Sequence, residues 1–298
     1  MENIFSTERL NSILPKVISF VEKELIPLEK EHHKRTWNET ARLLDQKREK
    51  VKELGLWGLH LPKNEGGLGL TLCEFGQLSE AMARTPFYGH YTFNCQPPDI
   101  GNMELLSKFG SDEVKSVFLH PLMEGKIRSC FSMTEPEFAG SNPTRLATTA
   151  VRQGNDYVIN GHKWFTSAIT ANMAFTLAST EPVIDGQRAA LSLFYLPIRH
   201  DDGSLNGIEV EALKDKLGTR ALPTAQLVLN GTKAKLVGQK GKGVREISTL
   251  FNVTRIYNTI SAVSYMRRAF ALCKAYSTQR EAFGKKLEQH ILYKKSLR

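Results

Sequence analysis

The sequence predicts an α+β protein in three parts: an N-terminal all-α domain over 1–126, a central mostly antiparallel β domain over 127–237, and an incomplete C-terminal helical domain over 238–298. Three observations predict it. Apolar residues recur at three-to-four spacing as far as about Lys126, β-rich runs separated by turn residues fill the middle, and helical spacing returns after Gly238, Gly241 and Gly243.

In the first part, Ile13, Val17, Phe20, Val21 and Leu25 keep one helical face apolar, and Leu43, Leu44, Val51 and Leu54 keep another. Gly55 suits a helix stop, and Gly66-Gly67 belongs to a loop. Thr71 and Ser111 are side chains that accept from the free amides of a first helical turn, so they predict helices running to about Arg84 and to just before Gly125. The period changes near Ile127. Arg128 to Met133, Tyr157 to Ile159, Ala174 to Ala178, Leu191 to Leu196 and Leu227 to Leu229 read as strands, and Asn160-Gly161 and Asn230-Gly231 read as two-residue hairpin turns, because a type I′ turn needs positive φ at both central positions. From Val244 a long helix is predicted, with Ile247, Leu250, Val253, Ile260, Val263, Met266 and Phe270 on its apolar positions, and a second helix after Gly284. Two helices are too few to close a four-helix bundle, so the C-terminal domain reads as incomplete.

The 298 residues are enough to bury a sizeable core, and no apolar run is long enough to span a bilayer. No secretory or transit peptide is apparent at the N-terminus. Cys73, Cys95, Cys130 and Cys273 lack CxxC spacing and the histidines lack ligand spacing, so a reduced, cytoplasmic protein without a metal site is expected. The formal charge of +9 is unevenly distributed: residues 233–298 hold 15 Lys or Arg against 3 Asp or Glu. A solvated helical face, a phosphate-binding surface and a nucleic-acid patch are three open readings of that segment.

The residues with chemistry cluster in two segments, Met133-Thr134-Glu135-Pro136-Glu137-Phe138-Ala139-Gly140-Ser141 and Gly161-His162-Lys163-Trp164-Phe165-Thr166-Ser167. They supply what a flavin needs: backbone polar groups and a hydroxyl along the ring edge, a flat aromatic wall, and a close-approach glycine with a hydroxyl for the pyrophosphate. With Trp57 to Leu70, Lys216 to Thr224 and Gln279-Arg280-Glu281-Ala282-Phe283-Gly284-Lys285, in this order, the chain resembles the acyl-CoA dehydrogenase family over its whole length. Phe93 to Asp99 with Gly101-Asn102-Met103-Glu104 is similar to members that act on long acyl chains, and Leu213 to Gly218 with Met266 to Phe270 is similar to the AidB-type branch.

The resemblance implies an acyl-CoA dehydrogenase-like fold, FAD as cofactor and α,β-dehydrogenation of an acyl-CoA thioester, placing the protein in fatty acid metabolism. Phe131, Met133 and Thr134 are then flavin-edge residues, Gly140 and Ser141 meet the pyrophosphate, Phe165 stands behind the ring, and Thr166 and Ser167 add polar contacts, with Trp164 read as core. Arg280 and Phe283 match the family's contacts to a neighbouring subunit's FAD, which implies a homo-oligomer. Ser141, Asn252 and Arg255 match substrate-arm positions, although Asn252 and Asn142 stand where the family usually carries acidic residues. No catalytic base is assigned: the usual one lies after the Arg-x-x-Phe-Gly segment, beyond the end of this sequence, and the alternative position holds Thr254, which carries no carboxylate. Glu135 is expected to be structural, and Glu246 and Glu281 to be exposed helix charges. An inactive truncated chain and an AidB-type nucleic-acid-binding flavoprotein are the alternatives, and an electron-transfer flavoprotein is the implied electron partner.

Overall fold

The computed structural model describes residues 5–86, 88–181, 190–220 and 222–296. Helices α1 (Glu8–Phe20), α2 (Trp37–Glu53), α3 (Leu72–Met82), α4 (Gly89–Thr92), α5 (Asp99–Phe109), α6 (Asp112–Val114) and α7 (His120–Met123) come first. Strands β1 (Ser129–Ser132), β2 (Thr149–Gln153), β3 (Asp156–Ser167), β4 (Met173–Ser179), β5 (Leu191–Pro197), β6 (Ile208–Leu213) and β7 (Thr224–Val237) follow. Helix α8 (Gly243–Ser277), the short strands β8 (Glu281–Ala282) and β9 (Lys285–Lys286), and α9 (Ile291–Ser296) complete the order. The contacts divide into two compact units, Met1–Cys95 with Ile256–Arg298, and Gln96–Arg255.

The first unit is helical, as the spacing predicts. Leu10, Val17 and Phe20 of α1 are buried, and Gly55 adopts φ +66° just past the end of α2. Thr71 caps α3 by accepting from the Glu74 amide, while the Glu74 carboxylate accepts from the Thr71 amide at 2.8 Å. That carboxylate also takes the Arg9 Nε–H at 3.1 Å and the Thr7 hydroxyl at 2.6 Å, so α1 and α3 are tied through one buried acid. Hydrogen bonds from Arg9, then from Thr7, hold Glu74 at about 2, below the usual carboxylate range. Its stabilisation is therefore present above the unfolded value of about 4.3 and is lost as the pH falls through the folded value. We expect Glu74→Gln to lower stability by about 1.5–3 kcal/mol at pH 7 and the deficit to close between pH 4.5 and 2; urea unfolding at pH 7 and pH 3 checks this, and a deficit that is equal at both values contradicts it.

In the second unit the pairings β1–β3, β3–β7, β7–β5, β5–β4 and β4–β1 close a ring, with β2 and β6 added to it. All are antiparallel except β1–β4 and β2–β4. Closure removes free edges and lets Ile159, Ala174, Phe194 and Leu227 fill the interior. Helix α5 is tied to the first strand of this barrel, since buried Asp99 accepts from the Ser129 amide at 2.7 Å and from the Ser129 hydroxyl.

Two turn expectations are corrected here. Neither Asn160-Gly161 nor Asn230-Gly231 is a hairpin turn; both lie inside the long strands β3 and β7. They sit beside each other, the Gly231 amide donating to Asn160 Oδ1 at 2.9 Å, where the β3–β7 register shifts between Ile159 and Gly161. Gly161 is there because a Cβ would lie 2.3 Å from Thr148 Oγ1. The glycines serve a bulge and a close approach, which share their local chemistry with a turn.

Helix α8 has 35 residues, about 52 Å of helix, and the unit boundary falls within it after Arg255. The helix expected straight after Gly284 begins instead at Ile291. Phe283 and Gly284, both at positive φ, turn a small β8–β9 hairpin first. Cys73 and Cys273 are exposed, Cys95 and Cys130 are buried, and all four are free thiols.

Candidate flavin-edge site and substrate-arm helix

At the centre of the candidate site is Lys163, in the middle of β3 and 0% exposed. Its ammonium donates to Glu135 Oε1 at 2.8 Å, to the Leu177 carbonyl at 3.0 Å and to the Met133 carbonyl at 3.2 Å. Glu135, also buried, accepts in turn from the Ala147 amide at 2.7 Å and from the Thr148 amide at 3.1 Å. Burial pushes the Glu135 carboxyl up, but the Lys163 charge and these donors outweigh it and hold it below its ordinary value. The pair fastens the loop after β1 to β3 and β4. Glu135 is therefore structural, as the sequence reading has it, while the burial of Lys163 is not legible in the sequence, because a lysine inside an alternating strand pattern looks like a solvent-facing position.

This clamp lays the two motif segments side by side. Phe131 pairs with Ser167 across β1 and β3, and the Trp164 amide donates to the Thr134 carbonyl at 2.7 Å. Gly140 closes over Thr134: a Cβ there would stand 3.1 Å from Thr134 Cγ2 and 3.2 Å from Oγ1. Ser141 follows on the exposed surface. Phe165 lies in a second bulge, where the β3–β7 register shifts between Lys163 and Thr166, at φ +59°. That conformation turns its ring outward, 59% exposed. Trp164 is half-buried rather than part of the barrel core, with the Lys214 ammonium 3.2 Å from its ring centroid. Ser167 is half-buried, its hydroxyl 2.9 Å from that of Thr224.

Thr166 departs from the expectation. Its side chain is fully buried and its hydroxyl lies 2.8 Å from that of Ser132, so it joins β3 to β1 from the inside and leaves only backbone groups for an outer contact. Strand alternation places it opposite Phe165 and Ser167.

Asn252 and Arg255 are exposed and one turn apart on α8. Thr254 is half-buried on a different side of the helix, with its hydroxyl 3.4 Å from where a Cβ on Gly101 would be. Arg280 and Phe283 lie in the first unit, in and beside the β8–β9 hairpin, with Phe283 97% exposed. Glu246 is corrected: it is 4% exposed, accepts the Gln239 amide at 2.8 Å through Oε1, and packs where Gly238 leaves room. Among the described residues no group of three or more His, Cys, Asp or Glu could hold a metal ion, and no helix is long and apolar enough to cross a membrane.

Helices before a closed barrel and one long helix after it define a three-part α+β class. The acyl-CoA dehydrogenase N-terminal, middle and C-terminal domain models match residues 7–126, 130–232 and 241–298, so the chain belongs to the acyl-CoA dehydrogenase family. It is 32% identical over 292 residues to acyl-CoA dehydrogenase family member 10 of Mus musculus, covering 93% of this chain and 27% of that one. A probable acyl-CoA dehydrogenase of Mycobacterium abscessus superposes with a TM-score of 0.78 at 26% identity, over 98% of this chain and 75% of that one. Caenorhabditis elegans ACDH-11, solved with C11-CoA, superposes with a TM-score of 0.70 at 29% identity, over 86% of this chain and 44% of that one. The chain spans 25–38% of the length of the first curated relatives it matches.

Proposed function

We propose that the protein binds FAD and takes an acyl-CoA thioester as its ligand for α,β-dehydrogenation. The observation that supports this best is the outward-turned Phe165, an aromatic ring 59% exposed on the stretch of β3 whose Ser167 pairs with Phe131 and whose Trp164 amide holds the Thr134 carbonyl. An exposed ring in a rigid bulge is costly to leave in water and suits a flat partner. When bound, the flavin supplies an acceptor for the hydride leaving the β-carbon.

The chain's own residues bind and orient. Met133 and Thr134 present their edge because Lys163 holds the Met133 carbonyl and the Trp164 amide holds that of Thr134. Thr134 and Ser167 offer hydroxyls, and Gly140 and Ser141 admit the pyrophosphate to the backbone. Asn252, Arg255 and Ser141 face the coenzyme A arm. Arg280 and Phe283, exposed on their hairpin, reach the FAD of a second copy in a homo-oligomer, and an electron-transfer flavoprotein takes the electrons onward. The relative solved with C11-CoA supports the ligand class. Proton removal is not assigned to Thr254, which lacks a carboxylate, nor to Glu135, which is committed to Lys163.

Flavin binding is the test. Apoprotein titrated with FAD should quench flavin fluorescence, and Phe165→Ala should weaken binding about fivefold to tenfold, with Thr134→Val/Ser141→Ala weakening it as well. Unchanged affinity in both variants removes the site.

A further inference from the structure

We infer that His162 is a proton-dependent latch on the loop that follows β1, so that protonation of its imidazole holds Gly140 and Ser141 in place for a flavin and deprotonation releases them. The ligand in this inference rests on the proposed function, and the latch itself rests on the geometry of the side chains around His162.

His162 and Lys163 are consecutive on β3 and therefore point to opposite faces of the sheet. Lys163 grips the loop from the inside through Glu135. His162 grips it from the outside, two residues further along: its Nδ1 lies 3.3 Å from Glu137 Oε1, and its Nε2 lies 2.7 Å from Glu211 Oε2 on β6. The ring thus stands between two carboxylates from different chain segments. Glu211 reaches it from a bulge, where the β6–β7 register shifts between Val210 and Ala212. On β7 the ring's partner in register is the apolar Val228. Gln226 of β7 completes the group: its amide donates to Glu211 Oε2 at 2.5 Å, its nitrogen lies 3.1 Å from the ring Nε2, and its Oε1 accepts from the Lys214 ammonium at 3.4 Å.

The imidazolium suits this arrangement and the neutral ring does not. The charged form has two N–H donors, one for each carboxylate, whereas the neutral form has one. Held at the shorter contact, that one proton stays with Glu211, and Nδ1 then faces Glu137 as acceptor against acceptor. Lys214 still acts on Glu211, but Glu137 has no second ion pair among the described residues. The loop therefore loses its outer tie when the ring loses its proton.

The hydrogen bond to Glu211 raises the imidazolium above its ordinary value, against the opposing effect of partial burial and with further help from Glu137. The latch is fully set below about pH 6.5 and opens as the pH rises through the raised value. His162 is 30% exposed and Glu137 54%, so solvent screening limits the effect to a few-fold.

Titration of the apoprotein with FAD at pH 6 and at pH 8.5, read by flavin fluorescence, tests the latch. Wild-type affinity should be about threefold to fivefold weaker at pH 8.5, and His162→Gln and Glu137→Gln should each bind equally at the two values. A contact that only braced the loop would lower affinity in the variants without changing the pH profile. A wild-type affinity independent of pH, or a dependence that survives in either variant, overturns the latch and leaves the flavin site standing. If FAD binds at neither pH, the proposed function fails, and amide hydrogen exchange of residues 137–141, corrected for its intrinsic pH dependence, decides the latch without a ligand. Greater protection at pH 6 than at pH 8.5, lost in His162→Gln, supports it, and protection equal at both values overturns it.

Discussion

Lys163→Met is expected to destabilise the protein by about 3–5 kcal/mol and to loosen flavin in whatever fraction remains folded. The substitution keeps the length of the side chain but leaves the Glu135 carboxylate buried without its counter-charge, and breaking one side of a buried pair costs this much because the remaining charge is desolvated and uncompensated. Three acceptors lose one donor at once: Glu135 Oε1, the Leu177 carbonyl and the Met133 carbonyl. The last of these lies on the proposed flavin edge, so the damage reaches function by a specific route. Adding Glu135→Gln should recover part of the stability, since a neutral amide is cheaper to bury and its oxygen still accepts from the Ala147 and Thr148 amides. Urea unfolding of the single and double variants, with FAD titration of each, measures both effects. A single variant within 1 kcal/mol of wild type, or a double variant no better than the single, would contradict the clamp.

Gly243→Val is the second large effect, expected at about 3 kcal/mol. The glycine opens α8 where the helix meets the barrel, and a Cβ there would lie 2.6 Å from the Ser192 carbonyl carbon and 2.7 Å from the Leu193 nitrogen. Both are backbone atoms of β5 or its entry, so neither can swing aside, and the helix start must shift. That start carries Glu246, whose Oε1 accepts the Gln239 amide at 2.8 Å, so this buried contact should weaken as well. Gly218→Ala is the control: nothing lies within 4 Å of its Cβ position, and it should change stability by less than about 0.5 kcal/mol. A lower urea midpoint in the first variant and an unchanged one in the second is the expected pair of results, and equal midpoints would mean that the helix start is not packed against the strand.

The helices were legible because their signals are local. Thr71 and Ser111 cap helices where their side chains predict, and the apolar spacing from Ile247 onward runs along one continuous α8. The Asn-Gly pairs misled because positive φ and small size serve a bulge as well as a turn, and only the partner strand distinguishes them. Glu246 misled because a glutamate in a first helical turn is ordinarily solvated, and its burial depends on the space left by Gly238, eight residues earlier.

For the candidate site the division is similar. The sequence by itself determined the family, the order of a helical part, a β part and a long helix, and the identity of the two segments that run side by side, because motif chemistry and periodicity are properties of neighbouring residues. Tertiary structure alone decided that the sheet closes into a barrel, that Phe165 points outward while Thr166 points in, and that Lys163 is a buried clamp. It also decided that His162 stands between Glu137 and Glu211. Each of these depends on strand register or on contacts between residues far apart in the chain, and a one-residue change of register reverses the face of every side chain without altering a single local preference.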